Sequence, residues 1–187
     1  MKAYPPPRAS ELSAFLKRSL CLGIACAALA ACTPELDWRE LSVPEGRFAV
    51  LLPCKARQES RTLGAAAGAR AMTMYACSLK QASMGVAYTD YPAASLTATN
   101  MRAQLDSARS ALLRNIGATA HSEEEVRVAG LPAWQVYAEG RAGMQPARLK
   151  ARFVFAAGRL YQIAYIGERD GLAMADIDLF LTSFKLL

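Results

Sequence analysis

The chain has 187 residues, which is enough for one ordinary domain. Hydrophobic residues make up 53% of it, charged residues 20%, and the formal net charge is +6. Residues 1–31 carry four of the 22 basic residues and one of the 16 acidic ones, so the remainder has a surplus of only about three positive charges. A surplus that small argues against a nucleic-acid-binding protein, which needs a concentrated basic face.

The N-terminal segment has the pattern of an export signal. Lys17 and Arg18 precede an uncharged run over 19–31, which is shorter than the roughly 20 residues of a membrane-spanning helix. The run ends in the sequence LAAC at 29–32, which resembles the lipobox of bacterial lipoproteins. That resemblance implies cleavage before Cys32 and lipid on its thiol. An ordinary signal peptide or an uncleaved anchor is the alternative.

Cleavage at this point predicts a signal peptide over 1–31 and a mature chain that begins at Cys32. Two or three acyl chains on that cysteine would hold the protein firmly to a membrane. The tether, 32–37, reaches roughly 20 Å at most, which keeps the domain close to the membrane. Thr33, rather than aspartate, favours the outer membrane by the sorting rule of such lipoproteins. We therefore expect a lipid-anchored protein of the cell envelope that faces the periplasm.

Two further cysteines remain in the mature chain, Cys54 and Cys77. An even pair in an oxidising compartment favours a disulfide. Since each lies in or just after a predicted strand, we expect the bond to join two neighbouring strands. Two free buried thiols and a metal pair are the alternatives. The metal pair lacks further ligands, because His121 is the only histidine and no CxxC or HxxxH spacing occurs.

The first part of the mature chain predicts an antiparallel meander. Its strands are short runs of β-branched, aromatic or alternating apolar residues, bounded by proline or small-residue turns. The predicted strands are 47–52, 57–63, 70–79 and 83–91, with a turn at 64–68.

Residues 99–116 change to the helical period. Apolar residues recur there at steps of three and four, while charged residues fall mostly between them. Thr97 or Thr99 is the candidate N-cap, and Gly117 is the candidate end of the helix. We expect an amphipathic helix that lies on the sheet.

Strand patterns resume after this helix, and a second amphipathic helix follows them. The predicted strands are 125–128, 133–139, 149–155 and 160–167, the helix is 170–181, and a short apolar run closes the chain at 183–186.

The predicted hairpin around Gly158 has an apolar face and a basic face. We expect its aromatic and apolar residues to share one face, namely Phe153, Phe155, Tyr161, Ile163 and Tyr165. The opposite face then carries three basic residues at strand spacing, the basic ladder of Arg148, Lys150 and Arg152. The ladder is the candidate contact for an anionic partner, such as a lipid headgroup or an acidic protein. The alternatives are a merely solvated face or a face covered by the acidic helix at 170–178.

Three stretches resemble PsbP-like domains. The run PEGRFAVLLP at 44–53 is similar to their opening, residues 152–163 to their late hairpin, and FLTSFK at 180–185 to their closing helix end. The resemblance extends to lipoproteins of proteobacterial envelopes. It implies one domain over 38–187 with an α+β fold, an antiparallel β-sheet flanked by helices in α/β/α layers. It also implies binding or assisting protein assemblies rather than catalysis, and it transfers no functional residue to this chain.

The remaining polar residues do not form a recognisable catalytic motif. His121 is the only candidate imidazole base, and no GxSxG motif surrounds a serine. The carboxylates at 123–125 would diverge on a strand, which disfavours a shared metal ion. No phosphate-binding loop or dinucleotide fingerprint is present. We expect no catalytic residue, cofactor or metal.

The expected function is a non-catalytic module that binds a protein of the envelope or assists its assembly. The alternative is a carrier of a small ligand, with a pocket between sheet and helix. A hydrolase ranks below both.

Overall fold

The computed structural model describes residues 36–64, 70–118 and 120–187. The expected signal peptide, Cys32 and the tether up to residue 35 lie outside these residues, as does most of the expected turn at 64–68. Residues 36–187 form one unit. Among the described residues, no helix has the length and apolar character needed to cross a membrane.

Short strands dominate the described chain, and two α-helices interrupt them. The elements are β1 (Arg39–Val43), β2 (Phe48–Leu52), β3 (Arg57–Leu63), β4 (Arg70–Ser78), β5 (Ala82–Asp90), α1 (Ala98–Asn115), β6 (Ala120–Val128), β7 (Leu131–Ala142), β8 (Gln145–Ala156), β9 (Arg159–Glu168), α2 (Met174–Ser183) and β10 (Lys185–Leu186). One turn of 3₁₀ helix, Ala93–Ser95, precedes α1.

The strands form two antiparallel sheets. The large sheet has seven strands in the order β3-β4-β5-β9-β8-β7-β6, and the small sheet has three in the order β1-β2-β10. Most neighbours in the large sheet are also neighbours in sequence, because tight turns join them; the β5–β9 pair is the exception. The expected α+β class and antiparallel sheet are confirmed.

The small sheet and α2 pack on one face of the large sheet. The ring of Phe48 in β2 is completely buried, with its centroid 5.7 Å from that of Phe184 and 6.0 Å from that of Tyr75 in β4. From α2, Ile177 and Phe180 are buried in the same cluster. Burying one such side chain contributes about 1.5–3 kcal/mol, so this cluster holds the two sheets together.

Helix α1 packs on the other face, over β7 and β8. Leu105 of the helix is buried in one cluster with Leu149 and Phe153 of β8. The Thr97 hydroxyl caps the helix by accepting from the Asn100 amide at 3.3 Å. Gly117, just past the end of the helix, takes a φ of +56°. The predicted helix, its Thr97 cap and its end at Gly117 are therefore confirmed.

The β8–β9 hairpin has a different register from the expected one. Its turn consists of two residues, Ala157 and Gly158, with φ values of +47° and +81°. A two-residue turn with both angles positive makes the flanking residues partners, and Ala156 accordingly lies opposite Arg159.

That register reverses the expected assignment of faces. Residues that lie directly opposite one another share a face, and Lys150 lies opposite Tyr165 while Arg152 lies opposite Ile163. Phe153 is opposite Gln162, on the other face. The prediction that Tyr161, Ile163 and Tyr165 share a face with Phe153 and Phe155 is thus wrong. These three residues lie on the same face as the basic ladder.

Candidate functional site

The basic ladder lies beneath α2 and the segment before it. Lys150 Nζ is 2.5 Å from Asp178 Oδ1, and Arg148 donates to the Leu172 carbonyl. Arg152 donates from Nε to Gln135 Oε1 at 2.7 Å and from Nη1 to the Leu181 carbonyl at 3.2 Å. Burial lowers the pKa of the Arg152 guanidinium. These contacts attach the C-terminal helix to the sheet.

We expect Arg152→Gln to lower the free energy of unfolding by about 1–2 kcal/mol. The shorter amide loses the charged donors that reach Gln135 and the end of α2, and hydrogen bonds from a charged group contribute roughly 1.5–3 kcal/mol. Chemical denaturation would measure the loss. Arg102→Gln, on the exposed side of α1, is the control. A loss no greater than that of the control would show that Arg152 does not stabilise the fold, and the ladder would again be a candidate contact for an anionic partner.

Cys54 and Cys77 form a disulfide, with Cα atoms 5.5 Å apart. The predicted bond is confirmed, but its position differs from the expected one. Cys54 follows β2 of the small sheet, and Cys77 lies in β4 of the large sheet, so the bond joins two sheets rather than two neighbouring strands. No cluster of three or more metal-ligating side chains occurs among the residues the structure describes.

His121 and the acidic run contribute to the packing of α1 on β6. His121 Nε2 is 2.7 Å from Glu123 Oε1, and the same carboxylate pairs with Arg109 of α1. Glu124 instead accepts from Gln135. The carboxylates thus diverge as the sequence predicts, and Glu123 is used by an internal ion pair.

A groove beside α1 is the strongest candidate site. Seven strands at a spacing of about 4.8 Å make a face roughly 29 Å wide, whereas one helix with its side chains covers about 10 Å. Because α1 lies over β7 and β8, no helix among the described residues covers the half of this face formed by β3, β4 and β5. A groove between α1 and β3 follows from this geometry.

Two contiguous cavities of about 520 and 250 Å³ make up this α1 groove. Binding pockets for small molecules typically have volumes of about 300–1,000 Å³. The floor consists mainly of small and apolar side chains from β4, β5 and β9, namely Met72, Met74, Ala76, Gly85, Ala87, Ala164 and Ile166. Residues of α1, including Ala108, Ala111 and Leu112, form one wall.

Polar groups concentrate in the larger cavity. Arg61 and Arg70 lie at its β3–β4 side, the first 3.8 Å from Glu59 and the second 4.8 Å from the centre of the Tyr91 ring. The Tyr91 hydroxyl donates to Gln104 Oε1 of α1 at 3.2 Å, and burial raises the pKa of Tyr91. These contacts link the wall of the groove to the end of β5.

Thr89 lines the same cavity and is 1% exposed. Its hydroxyl has no hydrogen-bond partner among the described residues. A buried polar group without a partner costs roughly 1–3 kcal/mol, so native proteins rarely keep one. An unpaired hydroxyl in the wall of a cavity points to a group that is supplied from outside the chain.

The polar residues of the α1 groove are of few types. Its described lining contains arginine, threonine, glutamine, serine and asparagine, but no histidine, cysteine or carboxylate. The sequence analysis gave a pocket between sheet and helix as an alternative, but it identified none of the residues that line the α1 groove. The available signal was the alternation of Met72, Met74 and Ala76 on the face opposite Tyr75 and Cys77.

Comparison with solved structures gives a clear neighbour. The solution structure of cyanobacterial PsbP (CyanoP) from Synechocystis sp. PCC 6803 matches with a TM-score of 0.55, over 84% of this chain and 98% of that chain. The chain has a PsbP-like fold. At 13% sequence identity, the PsbP-like likeness concerns the fold alone. No protein-family model matches the chain, and a search of curated proteins gives no match.

Proposed function

We propose that this PsbP-like chain is a non-catalytic binding module and that the α1 groove is its binding site. The observation that carries the proposal is the buried, unpartnered hydroxyl of Thr89 in the wall of a 520 Å³ cavity. A bound molecule would fill space that α1 does not cover, and it would satisfy that hydroxyl once the Thr89 side chain rotates, since the oxygen itself has almost no exposed surface. The lining supports binding rather than hydrolysis, since the described groove residues supply no base.

The cellular setting is part of the same proposal. The lipobox-like sequence that ends at Cys32 supports lipid attachment there, and the short tether supports a position close to the membrane, facing the periplasm. Thr33 supports the outer membrane. The α/β/α layering implied by the PsbP-like resemblance also belongs here; it is supported by α1 and α2 having their buried residues in separate clusters.

Between the two occupants considered from sequence, the geometry favours a small ligand over a partner protein. The groove lies between a helix and a sheet, and its lining includes a buried hydroxyl, that of Thr89, with no hydrogen-bond partner among the described residues. Concave, mainly apolar sites with a few placed polar groups are typical of small-molecule binding. If the chain instead binds a protein of the envelope, the test below would detect that protein in the complex.

We expect Ala111→Trp to abolish binding, because Ala111 lies in the wall of the groove and an indole there projects into the cavity and obstructs it. Ala103→Trp is the matched control, since Ala103 is exposed on the same helix and lies outside the groove lining. Native mass spectrometry of the full chain, extracted gently from its own membranes, would measure the bound mass.

In the wild type and in Ala103→Trp, we expect a small-molecule adduct on the chain, which Ala111→Trp loses. Equal adducts in both variants, or none in the wild type, would contradict the groove as a binding site. A protein adduct that survives Ala111→Trp would favour the partner-protein alternative.

A further inference from the structure

We propose that the α1 groove binds a single-chain anionic amphiphile, that is, one alkyl or acyl chain with a phosphate or carboxylate head. The head would lie at Arg61 and Arg70, and the chain would run along the floor formed by β4, β5 and β9. This inference rests on the proposed function, because it names the ligand of the same site.

The floor fits an unbranched hydrocarbon chain. From Ser83 to Thr89 the central floor strand β5 runs about 20 Å, which gives the length of the groove. The smaller cavity has a floor mainly of small and apolar side chains, and the polar residues of its lining are Arg61, Ser83, Asn115 and Gln162. Met72 and Met74 add flexible thioether side chains, which adapt to an occupant of variable shape.

The larger end fits an anionic head. Two guanidinium groups, those of Arg61 and Arg70, line it, and no carboxylate does so among the described residues. Arg61 has only a loose ion pair with Glu59, at 3.8 Å. Arginine binds carboxylate and phosphate oxygens in a bidentate manner, so two arginines at one end of an apolar groove complement an anion with a hydrocarbon tail.

Thr89 lies at this same end. Its buried hydroxyl is a donor without an acceptor among the described residues, and an oxygen of the head group would supply the acceptor. Gln162, on the neighbouring strand β9, lines both cavities, where the polar and apolar ends meet. Arg70 and Thr89 line the larger cavity alone, whereas Arg61 and Gln162 line both cavities, so the head group would lie in the larger cavity with Arg61 at the junction of the two.

A peptide fits this groove less well than an alkyl chain. The floor strands β4, β5 and β9 each have a strand on both sides, so their backbone groups are already paired. A peptide that crossed this floor would bury amides without partners, at a substantial cost for each. A hydrocarbon chain has no such groups.

The test uses the full chain from its own membranes, held in a non-ionic amphipol, and three probes. Dodecyl phosphate has both head and chain, dodecyl maltoside has the chain with a neutral head, and inorganic phosphate has the head alone. We expect dodecyl phosphate to raise the midpoint of thermal unfolding and the other two to leave it nearly unchanged. In Arg61→Gln/Arg70→Gln the apparent affinity for dodecyl phosphate should fall at least about tenfold, because two charge-assisted contacts are lost.

Two further variants sharpen the result. Arg57→Gln is the matched control, because Arg57 is exposed on the same edge strand but lies outside the groove lining; its affinity should equal that of the wild type. Thr89→Val removes the unpaired hydroxyl with little change of shape. It should raise the unfolding midpoint of the ligand-free chain and at the same time weaken binding of dodecyl phosphate, an opposition that general damage to the fold would not produce.

The outcomes separate the two proposals. Equal stabilisation by dodecyl maltoside and dodecyl phosphate, both blocked by Ala111→Trp, would overturn the anionic head and leave the groove as a binding site. An unchanged response to dodecyl phosphate in the double arginine variant would overturn the roles of Arg61 and Arg70. No response to any probe in the wild type, together with no native adduct, would overturn both proposals.

Discussion

Replacing Cys54 and Cys77 together with alanine is expected to lower the free energy of unfolding by about 3.4 kcal/mol. The bond closes a loop with a sequence separation of 23 residues, and a cross-link of this span removes about that much loop-closure entropy from the unfolded chain. The size of the effect follows from the length of this loop, and the bond also joins the small sheet to the large one. Denaturation with urea in the absence of reductant would measure it.

Reduction of the wild type separates the cross-link from the packing of the two side chains. Dithiothreitol should destabilise the wild type by nearly the same amount as the double replacement and should leave the double variant unchanged. Cys77 is completely buried, so any extra loss in the alanine variant reports the small cavity left behind. A wild type whose midpoint does not respond to full reduction would contradict a stabilising bond.

Local patterns were sufficient for much of this fold. The period of the apolar residues located α1 to within one residue at each end, and the cap at Thr97 and the end at Gly117 follow from side-chain chemistry that acts over three or four residues. Counting cysteines by compartment identified the Cys54–Cys77 pair. The helix and its ends depend on residues that are close in sequence. The disulfide could be predicted without the structure because only two cysteines were left to pair.

The wrong or missing predictions concern features that depend on the relative position of residues in different elements. Helix α2 begins at Met174 rather than at residue 170, because Glu168 and Gly171 close a turn after β9 through a 3.0 Å backbone hydrogen bond. The faces of the β8–β9 hairpin were assigned wrongly, since a shift of one residue in register exchanges the two sides of a strand. Strand β1 was missed, because it is short and needs β2 as its partner.

The α1 groove was the least predictable feature. Its polar end gathers Arg61, Arg70, Thr89 and Gln162, which are brought together by the pairing of β5 with β9 across more than 70 residues of sequence. None of these residues belongs to a motif. The groove arises from the mismatch between a wide sheet and a single helix, a property of the assembled layers.

The turn between β1 and β2 is fixed to the large sheet by Arg159. This arginine is 5% exposed; it binds both carboxylate oxygens of Asp90, at 2.6 and 2.9 Å, and donates to the Glu45 carbonyl at 2.9 Å. Its guanidinium lies 4.2 Å from the centre of the Tyr88 ring. Besides the buried cluster around Phe48, the small sheet is therefore held by Arg159 at the β1–β2 turn, by the hydroxyls of Tyr75 and Tyr161, which donate to Glu45 and Gly46 of that turn, and by the disulfide just after β2.

Arg159→Met is accordingly expected to lower the free energy of unfolding by about 3 kcal/mol. Methionine keeps much of the apolar stem but loses the charged hydrogen bonds, each worth roughly 1.5–3 kcal/mol, and the cation–π contact, worth about 1–2 kcal/mol; the sum is reduced because Asp90 is well exposed and recovers water. Hydrogen exchange should quicken first at β1 and β2. Arg169→Met is the matched control, since its ion pair with Glu139 lies at the surface and should contribute at most about 1 kcal/mol. Equal losses in the two variants would show that Arg159 does not hold the β1–β2 turn, which would then depend on packing, on the Tyr75 and Tyr161 hydrogen bonds and on the disulfide.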